Sequence, residues 1–138
     1  MFDEFFDLNR TSSYRNVALR PGGREVSDDV MYLATEDQAA DGEVSCHLKG
    51  ITGFRIVTHS PDGFSVFVSS DGRAFTPYEE LASTTEEGYR NMYGASARSR
   101  TVWTSKAPLP NGVDYLRLRL QGKAAVGRAQ IPYQGEIP

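Results

Sequence analysis

Tyr115, Arg117 and Arg119 alternate with Leu116, Leu118 and Leu120 in the run "YLRLRL". Successive side chains of a strand point to opposite faces. The leucines therefore define a core face, and the tyrosine and two arginines share the other. A guanidinium is a planar fork that meets a carboxylate or sulfate at two points. A phenol offers an apolar ring face with a polar tip. These residue types suit a polar ligand that carries rings and an anionic group. A plainer use competes with this one: Arg117 and Arg119 could pair with carboxylates on neighbouring strands, where exposed pairs contribute about 0–1 kcal/mol each.

Catalytic chemistry is harder to assemble. The two histidines, His47 and His59, belong to no HExxH pattern and have no carboxylate at metal-triad spacing. Cys46 stands beside His47 in "EVSCHLKG", but neighbours along a strand face opposite ways, so the pair does not form a nucleophile and its base. There is no G-x-S-x-G elbow, and the glycines of "PGGRE" lack the lysine and helix of a phosphate loop. The acidic pairs Asp28–Asp29, Glu79–Glu80 and Glu86–Glu87 fall in polar, turn-like segments, where a solvated surface accounts for them. The expectation is a protein that is not an enzyme. A glycosidase or lyase stays open only in the sense that its acid and base need meet only in space.

Charge is unevenly distributed. The first 87 residues carry 16 acidic and 7 basic side chains, and the remaining 51 carry 2 and 8. Twelve of the fifteen cations are arginine, although the net charge is only −3. Net acidity without a lysine run argues against nucleic-acid binding. No apolar run approaches the ~18 residues of a membrane span. A single cysteine excludes an internal disulfide and a thiolate metal cluster. At 138 residues the chain reads as one domain, 1–138, with room for a core of its own.

The elements that must position these residues are short strands. "RPGGRE", "AADGE", "SPDGF", "SSDGR" and "LPNGV" mark turns, and between them lie "FRIVTH" (54–59), "FSVFVS" (64–69), "RTVWTSK" (100–106) and "YLRLRL" (115–120). "FRIVTH-SPDG-FSVFVS" has the form of a hairpin. Strands at this spacing predict an all-β protein, a sandwich or barrel. Alternation sends Phe54, Ile56, Val66 and Val68 inward, and Arg55, Val57, His59, Ser65, Phe67 and Ser69 outward. In "TPYEEL", Thr76, Pro77 and Glu79 fit a helix start, so 77–82 is either one helical turn or a strand leaving the "SSDG" turn. Residues 83–99 lack periodicity and are expected to form a long loop of the kind that carries function.

Taken together, "GITGFRIVTHSPDGFSVFVSSDGRAFTPY" and "LPNGVDYLRLRL" resemble the galactose-binding-like jelly roll of carbohydrate-binding modules and discoidin-type domains. The matching positions are Ile51, Phe54 and Ile56; Ser69, Asp71, Gly72 and Phe75; and Leu109, Pro110, Gly112, Tyr115, Leu116 and Arg117. The opening "FDEFFDL" and the closing "QIPY" are similar to the ends of modules attached to glycoside hydrolases. The resemblance implies a jelly-roll β-sandwich of two antiparallel sheets. In function it implies a non-catalytic, extracellular module that holds a parent enzyme's catalytic domain, or a cell surface, on a polysaccharide. Sugar rings stack on aromatic faces, which makes Trp103, the only tryptophan, a candidate contact. Its alternative is a half-buried place under a loop. Tyr115, Arg117 and Arg119 would suit an acidic glycan on the sheet face, whereas Tyr89 and Tyr93 would serve a site in the loops. Relatives often hold a structural calcium, for which Asp3, Glu4, Asp7 and Glu136 have the right donor chemistry. The competing function is an accessory sandwich for protein contact or domain spacing, without glycan binding.

Overall fold

The computed structural model describes residues 2–3, 13–21, 31–58, 63–87, 99–106, 109–122 and 124–134. Along the chain these form β1 (Phe2–Asp3), β2 (Ser13–Arg15), β3 (Val17–Pro21), β4 (Met31–Thr35), β5 (Gly42–His47) and β6 (Arg55–Thr58). They continue as β7 (Phe64–Ser69), β8 (Thr76–Pro77), β9 (Leu81–Glu87), β10 (Ser99–Ser105), β11 (Tyr115–Leu120) and β12 (Ala125–Ile131). No helix occurs among the described residues.

The strands make two antiparallel sheets packed as a sandwich. One has the order β2-β5-β11-β7-β8. The other runs β3-β4-β12-β6-β10-β9, with β1 also paired to β12. Within them, β4-β12-β6-β10 lies opposite β5-β11-β7-β8, the order of a jelly roll, because the chain changes sheet between β4 and β5, β5 and β6, and β6 and β7. The core lies between the sheets. Leu116, Leu118 and Leu120 of β11 are 0–1% exposed, and they meet Val44, Val66, Leu33, Ile56, Val126 and Ile131. Burying each such side chain contributes about 1.5–3 kcal/mol. The inward set of "YLRLRL" is thus the predicted one, and Phe54, Ile56 and Val66 also lie inside.

Two local expectations are resolved by sheet pairing. Residues 77–82 make no helical turn: Thr76–Pro77 is β8, and β9 starts at Leu81. The Tyr78 N–H donates to the Val66 carbonyl (2.9 Å), and the Glu80 carbonyl accepts from the Lys106 N–H (3.1 Å). Backbone groups that a helix would need are taken by neighbouring strands, while Tyr78 and Leu81 pack on the core. Of the loop expected over 83–99, the first five residues and the last belong to strands. Residues 83–87 extend β9, which pairs with β10 from Ser105↔Leu81 to Ser99↔Glu87. Residues 88–98, with Tyr89 and Tyr93, lie outside the described residues.

Candidate functional site

The outer face of the five-stranded sheet gathers side chains from β2, β5, β7 and β11 into three rows. Register sets Tyr115 between His47 and Ser69, Arg117 between Ser45 and Phe67, and Arg119 between Glu43 and Ser65. Beyond β5, Ser13 adjoins Ser45, and Arg15 adjoins Glu43. Alternation in "GEVSCH" and in "YLRLRL" therefore builds one surface. Cys46 points away from it into the core, 2% exposed, while His47 lies on the face.

Both arginines are braced. The Arg117 Nε donates to Ser45 Oγ at 2.9 Å, its Nη1 lies 3.9 Å from Glu43 Oε2, and its guanidinium carbon sits 3.7 Å from the centre of the Phe75 ring. The Arg119 Nη2 donates to Glu43 Oε1 at 3.2 Å, and its guanidinium carbon is 4.5 Å from the centre of the Phe67 ring. Arg15 Nη2 reaches the same Oε1 at 3.4 Å. Three guanidinium groups thus share one carboxylate. Pairing with acids on adjacent strands does occur, but among the described residues Glu43 is the only acid that serves all three. Arg119 Nε is buried without a hydrogen-bond partner. Cation–π contacts at partly exposed sites contribute about 0.5–1 kcal/mol each and fix the planes of the forks.

Tyr115 anchors the third row. Its ring stacks on His47 at 4.2 Å with an interplanar angle of 8°, and Phe75 meets it edge-on at 6.4 Å. Against the same ring lies the turn after β7. Ser69 Oγ accepts the N–H groups of Asp71 and Gly72, while Asp71 Oδ1 accepts those of Arg73 (2.8 Å) and Ala74 (3.0 Å). The Arg73 and Ala74 amides, and the Ser69 hydroxyl after them, hold the Asp71 carboxyl below its ordinary pKa. Gly72 has φ +78°, and a Cβ there would fall 2.7 Å from Tyr115 Cζ. The "S-x-DG-x-x-F" pattern is therefore a turn built to seat Tyr115 and to place Phe75 beneath Arg117.

The structure does not bring the other candidates to this face. Trp103 belongs to the seven-stranded sheet, where its cross-strand partners are Ile56 and Ser83. It packs on the core, lies 5.4 Å from the Phe64 ring across the sandwich, and donates its indole N–H to Thr58 Oγ1 at 2.9 Å. Arg55 is on that sheet's outer side, bonded to Gln130, and Val57 beside it is buried despite its outward position. The outward residues of β6 therefore lie on a different sheet from those of β7 and β11. Tyr89, Tyr93 and His59 lie outside the described residues. So do the calcium candidates Glu4, Asp7 and Glu136, while Asp3 is described in its backbone alone. Among the described residues no three acidic, histidine or cysteine side chains converge as metal ligands would.

A cleft at one end of the sandwich had no mark in the sequence. At the end of the sandwich where β5 leaves and β6 and β11 enter, a cleft of about 480 Å³ is lined by residues 49–52 and 109–112, with Asp114 and Gln134. Lys49, Asn111, Asp114 and Gln134 give it polar walls, and Asp114 Oδ1 accepts the Gly50 N–H at 2.8 Å. The "LPNGVD" turn was legible, but its meeting with Lys49 and Gln134 was not. Glu87 and Ser99 are paired at the opposite end, beyond Thr58↔Thr101, so the segment between them starts and finishes far from this cleft.

Compared with known protein families and with curated proteins, the sequence matches none.

Proposed function

We propose that this chain is a non-catalytic module that binds a polysaccharide on the outer face of its five-stranded sheet. In that role it would hold an attached catalytic domain or a cell surface on the polymer, outside the cell. The observation that carries the reading is the braced pair Arg117 and Arg119, each guanidinium laid on a phenylalanine ring and tied to Ser45 or Glu43. Sugar hydroxyls need planar donors and acceptors whose geometry is fixed before binding, since ordering side chains on binding weakens affinity. In the rows of His47–Tyr115–Ser69, Ser45–Arg117–Phe67 and Glu43–Arg119–Ser65 the serines at 45 and 69 are buried and brace their neighbours, which leaves His47, Tyr115, Arg117, Arg119, Phe67 and Ser65 to meet a ligand. Rows two residues apart along a strand are separated by about 6.7 Å.

The likeness of "SSDGRAFTPY" and "LPNGVDYLRLRL" to galactose-binding-like modules supports the same reading, as does the jelly-roll strand order. A module for protein contact would be expected to offer a broad apolar patch. Among the described residues the only exposed large hydrophobic side chain is Tyr14, at 54% on edge strand β2. The polar end cleft favours a second placement, in which the polymer is held by Lys49, Asn111 and Gln134.

Affinity electrophoresis through gels containing neutral and acidic polysaccharides, with and without EDTA, tests the proposal. Retardation that Arg117→Ala reduces and Lys49→Ala does not would place the polymer on the sheet. The reverse pattern would move it to the cleft. Free migration through every gel would leave an accessory sandwich as the better account.

A further inference from the structure

We infer that the face receives an anionic group, a sulfate ester or uronate carboxylate of the glycan, and that Glu43 is that group's resident competitor. This rests on the polysaccharide reading above and names its ligand class. Among the described residues, Arg15, Arg117 and Arg119 carry three positive charges around one carboxylate, so these four groups hold a surplus of two. Glu43 is 17% exposed, while the arginine side chains are 61%, 26% and 34% exposed. The internal carboxylate is therefore less exposed than any of the three arginine side chains around it. Its Oε1 takes both Arg15 and Arg119, and its Oε2 lies 3.9 Å from Arg117, a distance too long for a good hydrogen bond. Arg117 is thus the fork that Glu43 satisfies least, and Phe75 holds its plane in place.

Glu43 has two opposed effects. It keeps three like charges together in the unliganded protein, and it repels any anion that enters the cluster. Affinity for an acidic glycan is set by the balance, and removing the carboxylate should raise it.

The test uses dextran, dextran sulfate and polygalacturonate as probes, in affinity electrophoresis and calorimetry, with thermal melts of each variant. Dextran sulfate or polygalacturonate should bind and dextran should not, with affinity falling as sodium chloride rises. Glu43→Gln should bind the acidic probe about fourfold more tightly, the scale of one charge removed at about 5 Å in mostly aqueous surroundings. Arg117→Lys and Arg119→Lys keep the charge but lose the fork, and each should weaken binding about tenfold or more. Should Glu43→Gln melt below the assay temperature, the two lysine variants decide. An unchanged or weakened Glu43→Gln affinity in a folded protein would overturn the competitor role, and unaltered lysine variants would overturn the anion site. Equal binding of dextran in molar salt would overturn the anionic ligand and leave the module intact. Binding to none of these probes would overturn the anion site, and the module reading falls with it only if every gel of the wider panel is also passed freely.

Discussion

Replacing Gly72 with alanine probes the joint between the turn after β7 and the ring of Tyr115. Two costs are superimposed there. The backbone stands at φ +78°, a conformation that costs an L-residue about 1 kcal/mol. The new methyl group would also lie 2.7 Å, 2.8 Å and 3.1 Å from Cζ, Cε2 and Cε1 of Tyr115. The ring cannot retreat freely, because His47 is stacked on it at 4.2 Å and Phe75 abuts it. Displacing it forfeits ring contacts of about 0.5–1.5 kcal/mol and some packing, so Gly72→Ala should destabilise by roughly 2–3 kcal/mol. For a chain of this size that is a fall in Tm of about 6–15 °C. Gly112→Ala is the control: its φ is +91°, but nothing lies within 4 Å of the added carbon, so only the backbone cost of about 1 kcal/mol remains. Urea denaturation of Gly72→Ala, Tyr115→Ala and the double variant completes a cycle with an expected coupling of about 1–2 kcal/mol. If Gly72→Ala costs no more than Gly112→Ala, or costs as much without the Tyr115 ring as with it, the seat described for Tyr115 is wrong.

Asp71 gives a pH test. Its folded-state pKa is depressed, so its contribution is complete above the unfolded-state value of about 4 and is lost as pH falls through the lower folded-state value. Asp71→Ala should therefore destabilise more at pH 7 than at pH 2.5, as read from thermal melts; equal losses at both would contradict the hydrogen-bonded carboxylate. Trp103→Phe should cost about 1–2 kcal/mol through loss of the bond to Thr58 and of packed volume. The Trp103 emission maximum should stay fixed when a glycan binds the other sheet, and a ligand-dependent shift would return Trp103 to the site. Cys46 is buried, so its thiol should react with a disulfide reagent only at the rate of unfolding, and rapid labelling of the native protein would refute the inward placement.

What the sequence disclosed followed from local periodicity and turn chemistry. Leu116, Leu118 and Leu120 could be assigned inward because a two-residue repeat survives folding, and the "SSDG" turn because Asp71 and Gly72 satisfy it locally. What it hid was pairing across strands, since register depends on partners far along the chain. Arg15, Glu43 and Phe75 have no local mark that joins them to Arg117 and Arg119. From sequence alone Trp103 stays open between a sugar contact and a half-buried place because its own strand does not decide it: Thr101 shares its face and is fully buried, and the apolar surroundings come from Ile56 and Phe64 on other strands. In "LASTTEE" the apolar signal is weak because β9 is an outer strand, held by β10 on one side.

The position of β11 and β12 bears on how the chain reaches this state. Each lies in the interior of its own sheet, β11 between β5 and β7, and β12 between β4 and β6, yet among the described strands of the sandwich they are the last two to be synthesised. Until they emerge, only the pairs that need neither, such as β3–β4, β2–β5, β7–β8 and the block β6–β10–β9, can form, and the edges of β4, β5, β6 and β7 that face β11 or β12 stand open. Open edges invite pairing with other chains, and closure across such long sequence separations is slow. The nascent protein therefore passes through an interval, several seconds long at about 5–20 residues per second, in which its rims are made and its centre is missing. Aggregation during synthesis should be most acute for chains stalled just before Tyr115.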